Sequence, residues 1–209
     1  MSKRLKTESS AAGASDTVAL CPTVLPPPAE PKPALQATAA ELARMLTVIE
    51  DEIVPKTRVC VAEGNKVFGA AVLDSTLDTV VADTNHEMES PLFHGEIYVL
   101  NRWAKETPAA QRGASAASAV FLSTHEPCCM CISSLVWAGF TKIFYFFPYE
   151  ATTSQGIPYD VEIMQELWRV PSYARRNKYC ATAAVQDLIS VRSFRIHTYS
   201  RYTLQIDIW

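Results

Sequence analysis

Two short motifs constrain the fold of this chain more than any other feature of its sequence. They are His94-Gly95-Glu96 and Pro127-Cys128-Cys129-Met130-Cys131, and Cys128 follows His94 by 34 residues. Each motif opens a stretch with helical periodicity. Cysteines at i and i+3 share one helical face, and the first turn of a helix favours thiolates because its free N–H groups and dipole stabilise negative charge. The two cysteines can therefore bind the same ion.

Three side chains of these motifs, His94, Cys128 and Cys131, have the chemistry of zinc ligands. A zinc site with three protein ligands keeps its fourth position open for water, as catalytic sites do. Zinc lowers the pKa of that water to about 7, and a nearby group must then carry its proton. Glu96 follows His94 by two residues and is available for this work. We therefore predict a zinc cofactor, with Glu96 as the catalytic residue.

Each motif by itself is open to a simpler interpretation. His94 alone is typical of a histidine at a helix start, and Glu96 alone of an acid that complements a helix N-terminus. A Pro-Cys-x-x-Cys sequence alone also suits a structural zinc knuckle or a redox pair. The two motifs in this order, with a helix and a strand between them, favour a catalytic metal site.

Other histidines and cysteines are interpreted as structural. Cys129 points to a different side of its helix and is predicted to be a small buried hydrophobic residue. His86 and His125 are predicted to be surface or hydrogen-bonding residues, and a supporting role near the metal is the alternative for His125. Ordinary thiols are expected at Cys21, Cys60 and Cys180.

The composition of residues 1–33 differs from that of the rest of the chain. This segment is rich in serine, alanine and proline and buries little, so we expect it to be disordered. Residues 34–209 are predicted to form one domain that contains the zinc site, with a C-terminal extension from about residue 170. The chain has no stretch that approaches the roughly 18 apolar residues of a membrane span. Its basic start lacks the apolar segment of a secretory signal, so we expect a cytoplasmic protein, with the nucleus as the alternative.

The hydrophobic pattern predicts alternating helices and strands. Helices are expected from about residue 34 to Pro55, over Gly95–Ala104, Cys131–Ala138 and Val161–Trp168, and over residues 173–191; the expected strands are Lys66–Leu73 and Thr79–Ala82 as a hairpin, Ala119–Ser123, Lys142–Phe147, and one or two within Phe194–Ile208. The helix that begins at Cys131 is apolar nearly all round and is expected to be buried. This order predicts a three-layer α/β/α sandwich with a central mixed five-stranded sheet.

These motifs resemble those of the cytidine-deaminase-like superfamily, whose signature is H-x-E followed by P-C-x-x-C. Residues 38–168 follow its order of elements. The Glu126 to Cys131 segment is similar to that of bacterial tRNA adenosine deaminases and guanine deaminases, and His94-Gly95-Glu96 to that of fungal cytosine deaminase. Ile157-Pro158-Tyr159-Asp160 is loosely similar to guanine deaminase.

The resemblance implies roles for particular residues. It implies that His94, Cys128 and Cys131 bind zinc and that Glu96 shuttles protons. It also implies that Asn85 contacts the substrate, and that the backbone N–H groups of Gly95 and Cys128 contact the substrate or the zinc-bound water. The interval of nine residues from Asn85 to His94 is about two shorter than in those relatives, so the loop between them has been rebuilt.

The charge distribution bears on the substrate. The chain has a formal net charge of −3 and a pI of about 5.8, which favours a small heterocycle, namely a nucleobase or nucleoside, over RNA. From Trp168 to Ile206, however, there are seven basic residues and one acid, so a phosphate-contacting surface is an alternative to a solvated helical face. Deamination of tRNA or another polynucleotide, and a non-catalytic zinc-bound partner of another deaminase, are the alternative functions. A homodimer is expected by analogy with the family.

Overall fold

The computed structural model describes residues 29–191 of the 209-residue chain. The helices are α1 (Ala39–Thr47), a π-helical segment (Val48–Ile53), α2 (Val54–Ala62), α3 (Gly95–Glu106), α4 (Arg112–Ser118), α5 (Cys129–Ala138), α6 (Tyr149–Ser154), α7 (Tyr159–Trp168) and α8 (Val185–Val191). The strands are β1 (Gly69–Leu73), β2 (Thr79–Thr84), β3 (Val120–His125), β4 (Lys142–Phe147) and β5 (Ala181–Ala184). The strands expected within Phe194–Ile208 lie outside the described residues, as do residues 1–28 of the segment 1–33 that was expected to be disordered.

The five strands form one mixed sheet in the order β2-β1-β3-β4-β5. β1 runs antiparallel to both β2 and β3, whereas β3, β4 and β5 run parallel to one another. One face of the sheet packs with α1, the π-helical segment and α8, and the other packs with α3 and α5. The predicted three-layer α/β/α sandwich with a mixed five-stranded sheet is therefore confirmed.

The parallel strands place the two motifs at one edge of the sheet. β3 ends at His125 and β4 at Phe147, and these two residues are paired in the register. β1 starts at this same edge, because Ala70 pairs with Ser123. The predicted hairpin of β1 and β2 is also confirmed. Loops that leave this edge therefore lead directly into α3 and α5.

The predicted helix end at Pro55 is wrong. The chain stays helical from Ala39 to Ala62, with the π-helical segment in the middle. The N–H of Val54 donates to the carbonyl of Ile49, five residues earlier, and Pro55 falls in the first turn of α2. A proline in a first turn loses no bond that its N–H would have made. The π turn thus shifts the pattern of backbone hydrogen bonds and accommodates the proline within a continuous helix.

The helix predicted over residues 173–191 is also wrong. This segment contains a loop, strand β5 and the short helix α8. β5 pairs in parallel with β4, with Ala181 opposite Lys142. Sheet pairing thus overrides the helical preference of an alanine-rich segment. The short helix α4 was not predicted, and no helix in residues 29–191 is long and apolar enough to cross a membrane.

The α5 helix is less buried than expected. Its inward face, with Cys131, Ile132 and Leu135, is buried. Its opposite face carries Trp137, whose side chain is 90% exposed. Gly139 ends the helix as predicted, with a φ of 94° in the left-handed region that favours glycine.

Candidate zinc site

Two helix N-termini hold the predicted ligands. His94 is the N-cap of α3 and Cys128 is the N-cap of α5, and both have extended backbone conformations. Cys131 lies in the first turn of α5 and is fully buried. The first turns of both helices therefore point their free N–H groups toward the same place, where negative charge is favoured.

The three ligand atoms have the spacing of a zinc coordination sphere. His94 Nδ1 lies 3.6 Å from Cys128 Sγ and 3.7 Å from Cys131 Sγ, and the two sulfurs are 3.5 Å apart. With zinc–sulfur bonds of about 2.3 Å and zinc–nitrogen bonds of about 2.0–2.1 Å, the edges of a tetrahedron measure about 3.5–3.8 Å. The donor set and its spacing thus fit zinc, and the predicted ligands are brought together.

Gly95 permits the close approach of α3 to the start of β1. A Cβ atom at this position would lie 2.4 Å from the carbonyl oxygen of Phe68 and 2.9 Å from the Cα of Gly69. Both neighbours are backbone atoms, which cannot move aside cheaply. Any larger residue between His94 and Glu96 would therefore push the ligand turn away from the sheet.

Glu96 lies beside the ligand atoms. Its side chain is buried, with 4% of the residue exposed, and its Oε2 is 3.6 Å from Cys131 Sγ. Burial, reinforced by the negative charge of Cys128, raises the pKa of Glu96 to about 7. No lysine or arginine of residues 29–191 forms a salt bridge with this carboxylate. Its environment therefore suits proton transfer better than permanent charge.

The ligands polarise one another. A hydrogen bond from Cys131 lowers the pKa of Cys128 to about 4, whereas burial raises the pKa of Cys131 well above its usual value. The hydrogen bond with Cys128 raises the pKa of His94 to about 9. Cys128 is therefore stabilised as the thiolate, which is the form of cysteine that binds metal.

Asn85 is fully buried next to this turn. Its Oδ1 accepts hydrogen bonds from the backbone N–H groups of Lys66, at 3.2 Å, and Glu87, at 3.0 Å. Its own N–H donates to the Phe68 carbonyl, which is the oxygen that Gly95 approaches. The Nδ2 group has no hydrogen-bond partner although it is buried. The structure thus places the predicted substrate residue at the site, with its amide N–H groups unused.

Two acidic residues at the site were missed by the sequence analysis. Glu87 Oε1 lies 3.3 Å from His94 Nε2, the ring nitrogen that faces away from the sulfurs. Asp160, in the first turn of α7, has a pKa raised to about 6 by burial and by the negative charge of Cys128. The loose similarity of the Ile157 to Asp160 segment was the available signal for Asp160. Glu87 had none, because its contact depends on the folded loop.

The neighbours of the cysteine motif have structural roles. His125 is buried, and its Nδ1 lies 2.9 Å from the hydroxyl of Thr124. Burial lowers the pKa of His125 to about 4. The prediction of a hydrogen-bonding His125 is confirmed. The predicted burial of Cys129 is wrong, because this residue is only partly buried. Cys60 and Cys180 are free and buried, as expected of ordinary thiols.

A buried ion pair holds the loop in front of Cys128. The side chain of Glu126 is completely buried, and both its oxygens accept hydrogen bonds from Arg175 at 2.7 Å. Glu126 also accepts from the N–H of Tyr149, whose hydroxyl donates to the Pro127 carbonyl at 2.6 Å. Arg175 belongs to the segment that was predicted as a basic surface. The guanidinium group of Arg175 instead pairs with the buried carboxylate of Glu126.

The comparison with known families agrees with this geometry. Residues 51–147 match the model of the cytidine and deoxycytidylate deaminase zinc-binding region, which spans from the π-helical segment to the end of β4. Over these residues the chain is similar to the zinc-binding region of the cytidine-deaminase-like superfamily. Zinc is accordingly the cofactor that this match supports, and the His94, Cys128 and Cys131 cluster is positioned to bind it.

Several solved structures of deaminases resemble this chain. A guanine deaminase from Nitrosomonas europaea is 21% identical, with 78% of this chain and 88% of that chain covered and a TM-score of 0.48. A guanine deaminase from Bacillus subtilis is 20% identical, with 68% and 90% covered and a TM-score of 0.46. A deaminase studied for A-to-I editing at the wobble position of transfer RNA is 15% identical, with 71% and 99% covered and a TM-score of 0.43. No curated protein sequence matches the chain.

Proposed function

We propose that this chain hydrolytically deaminates a small heterocycle, namely a nucleobase, a nucleoside or a related ring with an exocyclic amino group. One observation carries the proposal: three ligand atoms at zinc spacing stand beside a buried carboxylate, that of Glu96. When bound, zinc supplies an acidified water molecule as nucleophile. In the reaction, the water oxygen bonds to the amino-bearing carbon, the carbon–nitrogen bond breaks and ammonia leaves.

Glu96 carries the protons of this exchange. The attacking water must lose a proton and the departing nitrogen must gain one, and a single carboxylate can do both in turn. The buried position of Glu96, beside Cys131 and without a salt bridge to a lysine or arginine of residues 29–191, supports this role. A carboxylate held permanently ionised by an arginine would be a poorer carrier, because its protonated form would be too scarce.

Asn85 and the first turns of α3 and α5 would hold the ring. Because Oδ1 of Asn85 already accepts two backbone hydrogen bonds, its Nδ2 is left to donate to a ring nitrogen or carbonyl oxygen. The N–H groups of Gly95 and Cys128 are the other proposed donors, since both lie at helix N-termini. This arrangement orients the carbon that bears the amino group toward the metal position.

The charges near the site favour a substrate without phosphate. Three acidic residues, Glu87, Glu96 and Asp160, lie near the site. Lys66 forms a salt bridge with Glu87, and the positive charges of His94 and Lys66 act to lower the pKa of Asp160. A phosphate group brought here would meet mostly negative charge. Free bases and nucleosides are therefore favoured over nucleotides.

A polynucleotide substrate is the second candidate. Trp168 and Tyr179 are each 55% exposed, and Lys178 lies 4.7 Å from the centre of the Tyr179 ring. Exposed aromatic rings with nearby cations are typical of surfaces on which single-stranded bases stack. RNA binding would then weaken steeply as salt rises. Absence of RNA binding at low salt would remove this candidate.

The test is a screen for ammonia release from the zinc-loaded full-length chain. The panel consists of free bases, nucleosides, nucleotides and pterin-like rings. We expect release from at least one uncharged ring and none from the corresponding nucleotide. A chain that binds one zinc ion yet releases ammonia from no member would favour the non-catalytic partner function. Sedimentation of the same sample would test the predicted homodimer.

A further inference from the structure

We propose that Glu87 is a positioning residue that links the zinc ligand His94 to the turn anchored by Asn85. Its carboxylate contacts His94 Nε2 at 3.3 Å, and its backbone N–H donates to Asn85 Oδ1 at 3.0 Å. One residue thus contacts both the proposed metal ligand and the proposed substrate residue. The inference rests on the proposed function only where it assigns Asn85 to the substrate.

The contact with Glu87 determines which nitrogen of His94 is free to bind the metal. His94 Nδ1 faces the two sulfurs, so its lone pair must be available there. A neutral imidazole carries one proton, which must then be on Nε2. The Glu87 carboxylate accepts a hydrogen bond from Nε2–H and so stabilises this tautomer. A carboxylate in this position also makes the imidazole a stronger ligand.

Lys66 completes a closed set of contacts around the turn. Its Nζ lies 3.1 Å from the same Glu87 oxygen that faces His94, and its backbone N–H donates to Asn85 Oδ1. The side chain of Glu87 is 16% exposed, whereas that of Lys66 is 60% exposed. Glu87 is therefore held from two sides, by a lysine at the surface and by the buried asparagine amide.

A consequence is that Asn85 acts on the metal as well as on the substrate. Its Oδ1 holds the turn from which Glu87 reaches His94, and its Nδ2 is the unused donor. Asn85→Asp keeps the acceptor and removes the donor, so it should change substrate binding more than zinc binding. Asn85→Ala removes both and should weaken zinc binding as well.

Zinc affinity, measured by competition with a chromophoric chelator, tests the proposal without reference to turnover. We expect Glu87→Ala to weaken zinc binding about 10–100-fold, as removal of carboxylate partners of ligating histidines does. Glu87→Gln should lose less, because an amide oxygen still accepts from Nε2–H. Glu89→Gln is the matched control: it changes an exposed carboxylate two residues away and should bind zinc as the unchanged chain does.

The outcomes separate this inference from the proposed function. A folded Glu87→Ala chain, as judged by circular dichroism, whose zinc affinity equals that of Glu89→Gln would overturn the inference even if the enzyme is active. Weakened zinc binding supports it even if no substrate is found. The 15N spectrum of His94 in the unchanged, zinc-loaded chain requires no variant. It should show a proton on Nε2, and a proton on Nδ1 would equally overturn the inference.

Discussion

Two buried carboxylates at the edge of the sheet have opposite environments. Glu126, in the loop between β3 and α5, is completely buried, and Arg175 binds both its oxygens. Glu96, in the first turn of α3, is almost as buried but lies beside Cys131 rather than a cation. Glu96 belongs to the first motif and Glu126 directly precedes the second, yet an arginine compensates Glu126 and none compensates Glu96.

The difference shows how the fold separates structure from chemistry. A buried carboxylate that binds an arginine and an N–H donor has its hydrogen-bonding capacity satisfied, and it holds the loop that carries Cys128 in place. A buried carboxylate without such partners loses its preference for the charged form, and the pKa of Glu96 rises to about 7. Glu96→Gln should therefore lower activity without lowering stability, whereas Glu126→Gln should lower stability rather than activity.

The largest effect is expected for Glu96→Gln. Without the carboxylate, no group in the proposed mechanism carries protons between the water and the leaving nitrogen, so turnover should fall by about 10²–10⁴-fold. The free energy of unfolding should not decrease, because a neutral amide replaces a buried carboxylate that has no salt bridge to a lysine or arginine of residues 29–191. Ammonia release and urea denaturation measure the two quantities.

Zinc content distinguishes this result from loss of the metal. Glu96→Gln should retain one zinc ion per chain, since the three ligand atoms are untouched. Glu126→Gln is the comparison variant and should lose stability rather than turnover. Activity retained by Glu96→Gln would refute the proton-carrier assignment, and parallel losses in both variants would refute the contrast between them.

A third buried titratable group sharpens the comparison through pH. Burial lowers the pKa of His125 from 6.5 to about 4, so the folded chain keeps this imidazole neutral. Below pH 6.5 the unfolded chain takes up a proton that the folded chain does not bind. The contribution of His125 to the free energy of unfolding is therefore fully present above about pH 6.5. It is lost as the pH falls toward 4, by up to about 3 kcal/mol.

His125→Gln removes this dependence because glutamine does not titrate. The free energies of unfolding of the two chains, measured in urea between pH 7 and 4, should diverge, with the unchanged chain losing more. Titration of carboxylates and metal ligands contributes to both chains and cancels in the difference. Parallel curves would mean that the pKa of His125 is the same in the folded chain as in the unfolded chain.

Much of the metal site was predictable from local spacing. The i and i+3 cysteines and the His-x-Glu pair lie in first helical turns, whose geometry is known before the fold is. Asn85 was predicted only by resemblance. Glu87 and Arg175 were not predicted as partners, because Glu87 meets His94 through a folded loop and Arg175 meets Glu126 across 49 residues. Such contacts have no periodicity from which to infer them.

The same distinction holds for the fold. The β1–β2 hairpin and the helices α3 and α5 follow from local patterns, and the structure has them. The errors occur where distant segments decide. Pro55 is tolerated because a π turn precedes it, and the alanines of β5 are extended because β4 offers an open edge. Neither condition is visible within a short window of sequence.

The smallest of the three effects is expected for Arg175→Ala. Removal of one partner from a fully buried ion pair costs about 3–5 kcal/mol, because the other charge is left unpaired. The side chain of Arg175 is 39% exposed, so solvent screens part of this loss. We therefore expect the free energy of unfolding, measured by urea denaturation, to fall by about 2 kcal/mol.

Glu166→Gln is the matched control, since it breaks an Arg169–Glu166 pair whose side chains are 71% and 74% exposed. It should not shift the urea midpoint measurably. If Arg175→Ala behaved in the same way, the carboxylate of Glu126 would not depend on its partner, and the contrast with Glu96 would fail.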